Sequence, residues 1–311
     1  EKIVTFAALL LVGAASAQEN ITFQKPSAEI LKLADYDRPP NVLMDSQKEW
    51  LIFTYRPTYK SLEELNQPEM KLAGLRINPV TNIASAANYI SNLKIRRFND
   101  KTEKQIAGIP QNAKISYLSL SPDEKKLAFT NTTANGVELW IADLSSATAK
   151  KLTSDNLNAN LGIPYVWAKD SKSFIVKFIP TNRKSLIDQS KTLPAGPTVS
   201  VSDGKVSQNR TYPDLLKNPQ DEANFETLVA AELHKLTLDG KSQKFKDAGL
   251  YSYVEYSPDG KYLLVNTIKK PFSYIVPLNR FPQTSVVYDE SGREVKVVND
   301  VPLNEVLPKG F

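Results

Sequence analysis

The sequence predicts an all-β chain folded as a β-propeller, incomplete at roughly four to five blades and carrying short helical insertions. Three observations carry this expectation. Past Gln18 the chain alternates short apolar runs with Pro, Gly, Asn and Asp; it shows no long amphipathic period of the kind a helix bundle needs; and one type of hairpin recurs at about the length of a blade.

The first segment stands apart from the β pattern. After Lys2, the apolar run from Ile3 to Val12 leads through Gly13 to Ala15, Ser16 and Ala17, the small residues a signal peptidase accepts, so residues 1–17 are expected to be a signal peptide cleaved before Gln18. The apolar stretch is shorter than the ~20 residues of a spanning helix, so no stable membrane span is expected once the signal is removed. Export to a periplasmic or extracellular compartment of a bacterium is the corresponding expectation for localisation.

Residues 18–311 are assigned to the propeller. Two hairpins are strongest: Ser119-Leu120-Ser121-Pro122-Asp123-Glu124 returning through Leu127-Ala128-Phe129, and Tyr256-Ser257-Pro258-Asp259-Gly260 returning through Leu263-Leu264-Val265. Proline presets φ at the second turn position, Asp or Gly continues the turn, and the returning apolar residues supply a buried face. Weaker copies run from Met44 to Phe53 and from Trp167 to Val176. The turn aspartates are spaced 170 − 123 = 47 and 259 − 170 = 89 residues, read as one and two periods. Val137 to Leu144 and Lys151-Leu152-Thr153 fit the outer half of a four-stranded blade. A β-sandwich also has regular short strands, but it would not repeat this turn chemistry at blade length.

Two regions interrupt the repeat. Ser61 to Lys71 is expected to be a short helix with Leu62 and Leu65 on one face. Between Pro180 and Glu232 a longer insertion ends in a helix over Asp221 to Ala231, capped by Asp221. The stretch from Lys269 to Pro282 combines cations, aromatics and three prolines, and suits either a ligand site or a rigid link between strands.

Composition narrows the chemistry. With 41% hydrophobic residues among 311, the chain is too apolar to be disordered overall, and a net charge of +5 spread along it argues against nucleic acid as a partner. Cysteine is absent, which removes disulfides, thiolate metal sites and a cysteine nucleophile together. No two of the twelve glycines are spaced by four, so there is no GxSxG nucleophile elbow, and GxGxxG and P-loop signatures are absent as well. His234 is the one histidine and reads as a surface or blade-edge residue, too little for a histidine zinc site. The pairs Glu63-Glu64, Asp123-Glu124 and Asp221-Glu222 suit turns and helix starts better than acid–base work or calcium. Glycosylation triplets at Asn20, Asn131 and Asn209 matter only in a eukaryotic secretory route. Neither a metal nor a cofactor is expected.

The segments Leu62 to Pro79, Arg210 to Glu222 and Pro271 to Pro282 together resemble the glutamyl endopeptidase branch of the prolyl oligopeptidase-like serine peptidases. The resemblance implies a propeller that restricts access to, and helps select peptides for, a C-terminal α/β-hydrolase domain bearing Ser, Asp and His. No residue of that triad can be carried onto this chain, with which the glycine spacing and the single histidine independently agree, and the chain is expected to be a fragment that stops before the catalytic domain. If the parent cleaves after glutamate, the acidic side chain needs a cation. Arg280 is the first candidate and Lys270 the second, with Tyr274 on the same wall. The expected partners are a peptide substrate and the hydrolase domain of the same parent. A stand-alone periplasmic propeller that docks a protein partner is the alternative, and a propeller enzyme with a metal in its tunnel is a weaker third. An incomplete ring expressed alone is expected to be poorly soluble or to oligomerise, because its strand edges and one blade face stay uncovered.

Overall fold

The computed structural model describes residues 25–188 and 212–306. The signal-cleavage residues Ala15, Ala17 and Gln18 lie outside the described residues. Residues up to Asp37 form one unit and those from Arg38 onward another. In the first, helix α1 (Ala28–Ala34) starts at Ser27, whose hydroxyl accepts from the Ile30 N–H, and it buries none of its residues.

The second unit is built of antiparallel blades, four of them among the described residues. The first pairs β1 (Asn41–Met44), β2 (Trp50–Tyr55), β6 (Asn92–Arg97) and β7 (Lys104–Gln105) in that order. The next runs β8 (Ile115–Leu120), β9 (Lys126–Thr132), β10 (Val137–Asp143) and β11 (Thr148–Lys151). The third begins with β12 (Tyr165–Trp167), β13 (Ser173–Phe178) and β14 (Ala231–Thr237), and its fourth strand is the first half of β15 (Ser242–Tyr256). The second half of β15 opens the last blade, followed by β16 (Tyr262–Ile268), β17 (Gln283–Asp289) and β18 (Glu294–Val301). The 15-residue β15 is thus an outer strand that becomes the next inner strand without a break.

All four hairpins read from the sequence are the first hairpin of a blade, and they share one turn. The N–H groups of Lys48, Glu124, Ser171 and Gly260 donate to the carbonyls of Asp45, Ser121, Ala168 and Ser257. Each of the four donors has positive φ, which only Gly260 adopts without strain. The side chains of Asp45, Ser121 and Ser257 repeat one role, accepting from the N–H of Trp50, Lys126 and Tyr262. The turns also touch in succession: Ser46 donates to the Glu124 carboxylate, and the Asp123 N–H donates to Ser171 Oγ at 2.9 Å. The acids of the Asp123-Glu124 pair therefore hold turns together, as the sequence suggests.

Period-two alternation on each strand feeds the interfaces between blades. Ile52, Leu93 and Ile95 pack on Ile115, Leu127 and Phe129; Ala128, Leu139 and Ile141 pack on Trp167, Phe174 and Val176; Ile175 and Leu233 pack on Tyr251, Leu263 and Val265. Among the described residues no buried cluster joins β1, β2, β6 and β7 of the first blade to the strands of the last. Val42, Leu43 and Met44 on β1 are exposed, as is the whole of β18.

Two expectations are corrected. The 89-residue interval from Asp170 to Asp259 is one blade carrying residues 179–230 between β13 and β14, because that insertion happens to match a blade in length. The helices are also shorter or shifted. Near Ser61 only α2 (Leu62–Leu65) forms, closed by a Ser61–Glu64 capping box; Pro68 cannot continue a helix, and residues from Met70 turn to strand. Leu62 and Leu65 are 84% and 67% exposed, so the expected apolar face is not buried among the described residues. The second helix, α3 (Pro219–Val229), is capped by Asn218 instead of Asp221: Asn218 accepts from the Asp221 N–H at 2.8 Å, and Pro219 occupies the first turn, where a missing N–H costs nothing. No helix among the described residues is long and apolar enough to cross a membrane.

Candidate functional site

In each blade the repeated turn lies at one end, so the connection from second to third strand lies at the other. Three of these connections are long: residues 56–91 in the first blade, 179–230 in the third and 269–282 in the last. They close on one another. The small sheet β3 (Met70–Leu72), β4 (Leu75–Asn78) and β5 (Ile83–Ala84) contributes Leu72, Ala73 and Ile77 to a single buried cluster. The third-blade insertion adds Leu216, Phe225 and Leu228, and the last adds Phe272, Val276 and Phe281. We refer to this assembly as the cap.

Its centre is aromatic. Phe225 meets Phe272 and Phe281 edge-on at 5.2 and 5.9 Å, while Phe272 and Phe281 stack at 5.3 Å. Polar ties fix the three segments around it. The Gly74 N–H donates to the Asp214 carbonyl at 2.8 Å, the Leu278 N–H donates to the Ala73 carbonyl at 2.9 Å, and Arg76 Nε donates to Asp214 Oδ2 at 2.7 Å. Gly74 has φ +86°, and a Cβ there would stand 2.9 Å from that of Pro277, so only glycine lets the two segments approach this closely. Asn158 and Asn160, both buried, donate to the Leu228 carbonyl and thereby anchor the end of α3 on the link into the third blade.

The three residues singled out for substrate binding all border this cap but are occupied differently. Lys270 Nζ lies 2.8 Å from Glu226 on α3 and 5.6 Å from the Phe272 ring, so its charge is already compensated. The Tyr274 hydroxyl bonds to Glu222, which pushes its pKa up to about 12 together with a smaller contribution from burial. Arg280 is half-buried; its guanidinium donates to the Val306 carbonyl at 2.6 Å and lies 5.6 Å from the Tyr212 ring. Among the described residues it has no carboxylate partner. The Lys269 to Pro282 stretch is therefore structural through Phe272, Val276 and Phe281 while presenting Arg280 and Tyr274 at its surface.

His234 stands on β14 between two partners: Ser242 Oγ at 3.0 Å on Nδ1 and Glu232 at 3.2 Å on Nε2, with Lys244 also on Glu232 at 2.8 Å. Hydroxyl, imidazole and carboxylate lie in series, but Ser242 is exposed to water on an outer strand. Glu63 pairs with Lys114 at 3.2 Å, and Asp221 sits in the first turn of α3, so both pairs of acids serve the fold. No group of three potential metal ligands occurs among the described residues.

Sequence reasoning missed one residue. Lys177 on β13 is 6% exposed, and burial lowers its pKa to about 8. In Ser173-Phe174-Ile175-Val176-Lys177-Phe178 it looks like an ordinary strand lysine; the usable signal was its period-two register with Ile175.

No family model matches the chain. A rice (Oryza sativa subsp. japonica) protein named "Probable glutamyl endopeptidase, chloroplastic" is 30% identical over 300 residues, covering 92% of this chain and 32% of the relative. The Arabidopsis thaliana protein of the same name is 32% identical over 299 residues, 92% of this chain and 31% of the relative. The chain thus spans about a third of the length of the curated relatives it matches. Among solved structures, an acylaminoacyl peptidase from Pyrococcus horikoshii aligns with 86% of this chain and 33% of its own, at 15% identity and a TM-score of 0.47. A prolyl endopeptidase studied for inter-domain dynamics aligns with 89% and 32%, at 13% identity and a TM-score of 0.47.

Proposed function

We propose that this propeller, related in sequence to the glutamyl endopeptidase branch of the prolyl oligopeptidase-like serine peptidases, is the non-catalytic part of such an enzyme that gates and selects its peptide substrates. One observation carries the reading: the three separated segments that bear the resemblance come together as a single cap at one end of the blades. Selective admission needs a rigid wall with few, placed polar groups, and the cap offers both. The Ser, Asp and His of catalysis belong, on this reading, to an α/β-hydrolase domain of the same parent.

Arg280 is the group proposed to meet an acidic side chain. Lys270 is second to it because Glu226 already holds its ammonium, and Tyr274 forms part of the wall. A charge-assisted bond of this kind is worth about 1.5–3 kcal/mol, or roughly 10- to 100-fold in kcat/KM. In the full-length peptidase, Arg280→Ala should lower kcat/KM for a glutamyl peptide by that factor and leave its glutaminyl counterpart unchanged. An unchanged glutamyl rate would remove Arg280 from the proposal.

Export is proposed from the N-terminal pattern alone. Peptide sequencing of the mature protein from extracytoplasmic fractions should begin at Gln18; an intact N-terminus in the cytoplasmic fraction would sink it.

A further inference from the structure

The first strands of neighbouring blades approach one another, and between β12 and the second half of β15 they leave a cavity of about 360 Å³. Leu161, Tyr165, Val166 and Ile175 make most of its wall apolar, Tyr253 and Glu255 stand exposed beside it, and Lys177 lines it as well. The alternation of β13 explains how the lysine comes to be there. Phe174, Val176 and Phe178 pack toward the second blade, Ile175 packs toward the last, and Lys177 falls on the side of Ile175, where the register calls for an apolar residue.

An ammonium has three donors. Lys177 Nζ uses one, to the Leu161 carbonyl at 3.1 Å, and among the described residues it has no carboxylate partner. Buried cations without a counter-charge are costly, and departures from the apolar pattern of this kind concentrate at functional sites. Glu255 does not supply the missing charge: it is exposed to water and accepts from the Tyr253 hydroxyl. One cation on an apolar wall matches a ligand with one negative charge on an apolar body; a phosphate dianion would want more donors than Lys177 can give.

We propose that the cavity between the third and last blades is a carboxylate-binding site in which Lys177 pairs with the acidic side chain or the C-terminus of a peptide. The site shares Leu161 with the buried cluster of the cap but not Arg280, and it does not depend on the peptidase reading, since binding needs no catalysis.

Isothermal titration calorimetry on the full chain tests it with two probes. Acetyl-glutamyl amide carries only a side-chain carboxylate, and acetyl-leucine carries only a terminal one. At least one should bind, acetyl-glutaminyl amide should not, and Lys177→Met should weaken binding at least tenfold while melting no lower than the wild type. The probe that binds identifies the source of the carboxylate. Ile163→Trp, at an exposed position on the cavity lining, should block binding without touching the core and serves if Lys177→Met fails to fold. Equal binding by the variants, no binding by either carboxylate, or tighter binding of inorganic phosphate would overturn the proposal.

Discussion

Replacing Lys177 by methionine removes a buried charge at nearly constant volume, and its effect on stability should change sign with pH. Burial brings the folded-state pKa down from 10.5 to about 8, which corresponds to a cost of about 3 kcal/mol while the unfolded chain still holds its proton. Below pH 8 both states are protonated and the cost is present in full. Between pH 8 and 10.5 the unfolded state binds more protons than the folded one, so wild-type stability rises with pH and the cost is recovered. Methionine also leaves the Leu161 carbonyl without its donor, a loss of about 1–2 kcal/mol at every pH. Lys177→Met should therefore be more stable than wild type by about 1–2 kcal/mol below pH 8 and less stable by about 1–2 kcal/mol above pH 10.5. Tyr165 and Tyr253, which share the cavity, are both held above the usual phenol range and stay neutral through most of this window. Urea titrations followed by tryptophan fluorescence at pH 6, 7, 9 and about 10.5 would measure the difference, with Trp50, Trp140 and Trp167 reporting on three blades. A pH-independent difference, or a variant less stable at pH 7, would refute the claim that Lys177 is a desolvated cation.

Further outcomes follow from the same packing. Phe225→Ala, at the centre of the cap's aromatic cluster, should cost about 3–5 kcal/mol in urea unfolding, and a loss below 1 kcal/mol would mean that the cap is not one core. Gly74→Ala meets both the positive φ and the close approach of Pro277; it should cost about 1–3 kcal/mol and raise proteolysis of residues 56–91, while unchanged protease resistance would argue against that contact. Glu138 is buried, which alone would raise its pKa, but bonds from Trp140, Asn131 and Lys151 hold it below its ordinary 4.5. Its contribution is complete above pH 4.5 and is lost as pH falls through the lower folded value, so the advantage of wild type over Glu138→Gln should shrink in acid titrations. Residues 18–311 expressed alone should oligomerise through the exposed β1 face and the β18 edge; a sharp monomer peak in sedimentation, with cooperative melting, would contradict this.

The blades were legible because their turns make local demands. A residue that accepts from the N–H five positions on, at Asp45, Ser121 and Ser257, and an acid two positions after Ser121, Ala168 and Ser257, are chemical signatures that survive in sequence. The blade count was blurred because an insertion of 52 residues, 179–230, imitates a period, and spacing cannot tell a blade from a loop of the same length. The cap was legible only as three separate resemblances. That they form one core depends on Phe225 meeting Phe272 and Phe281, 47 and 56 residues further on, and no local pattern encodes such a meeting. Similarly, Lys270 and Arg280 look equivalent as cations in sequence, and Glu226, one turn along α3 from Glu222, is what separates them. Lys177 was missed because a strand lysine is ordinary until the blade beside it buries its face.

The proposed gating is tested most directly in the full-length parent protein by kcat/KM for glutamyl peptides of increasing length, up to a folded protein, with wild type and Gly74→Ala compared. The account predicts a steep fall with substrate size in wild type, a shallower fall when the cap is loosened, and equal rates on the shortest peptide. Identical size dependence in the two enzymes would contradict it.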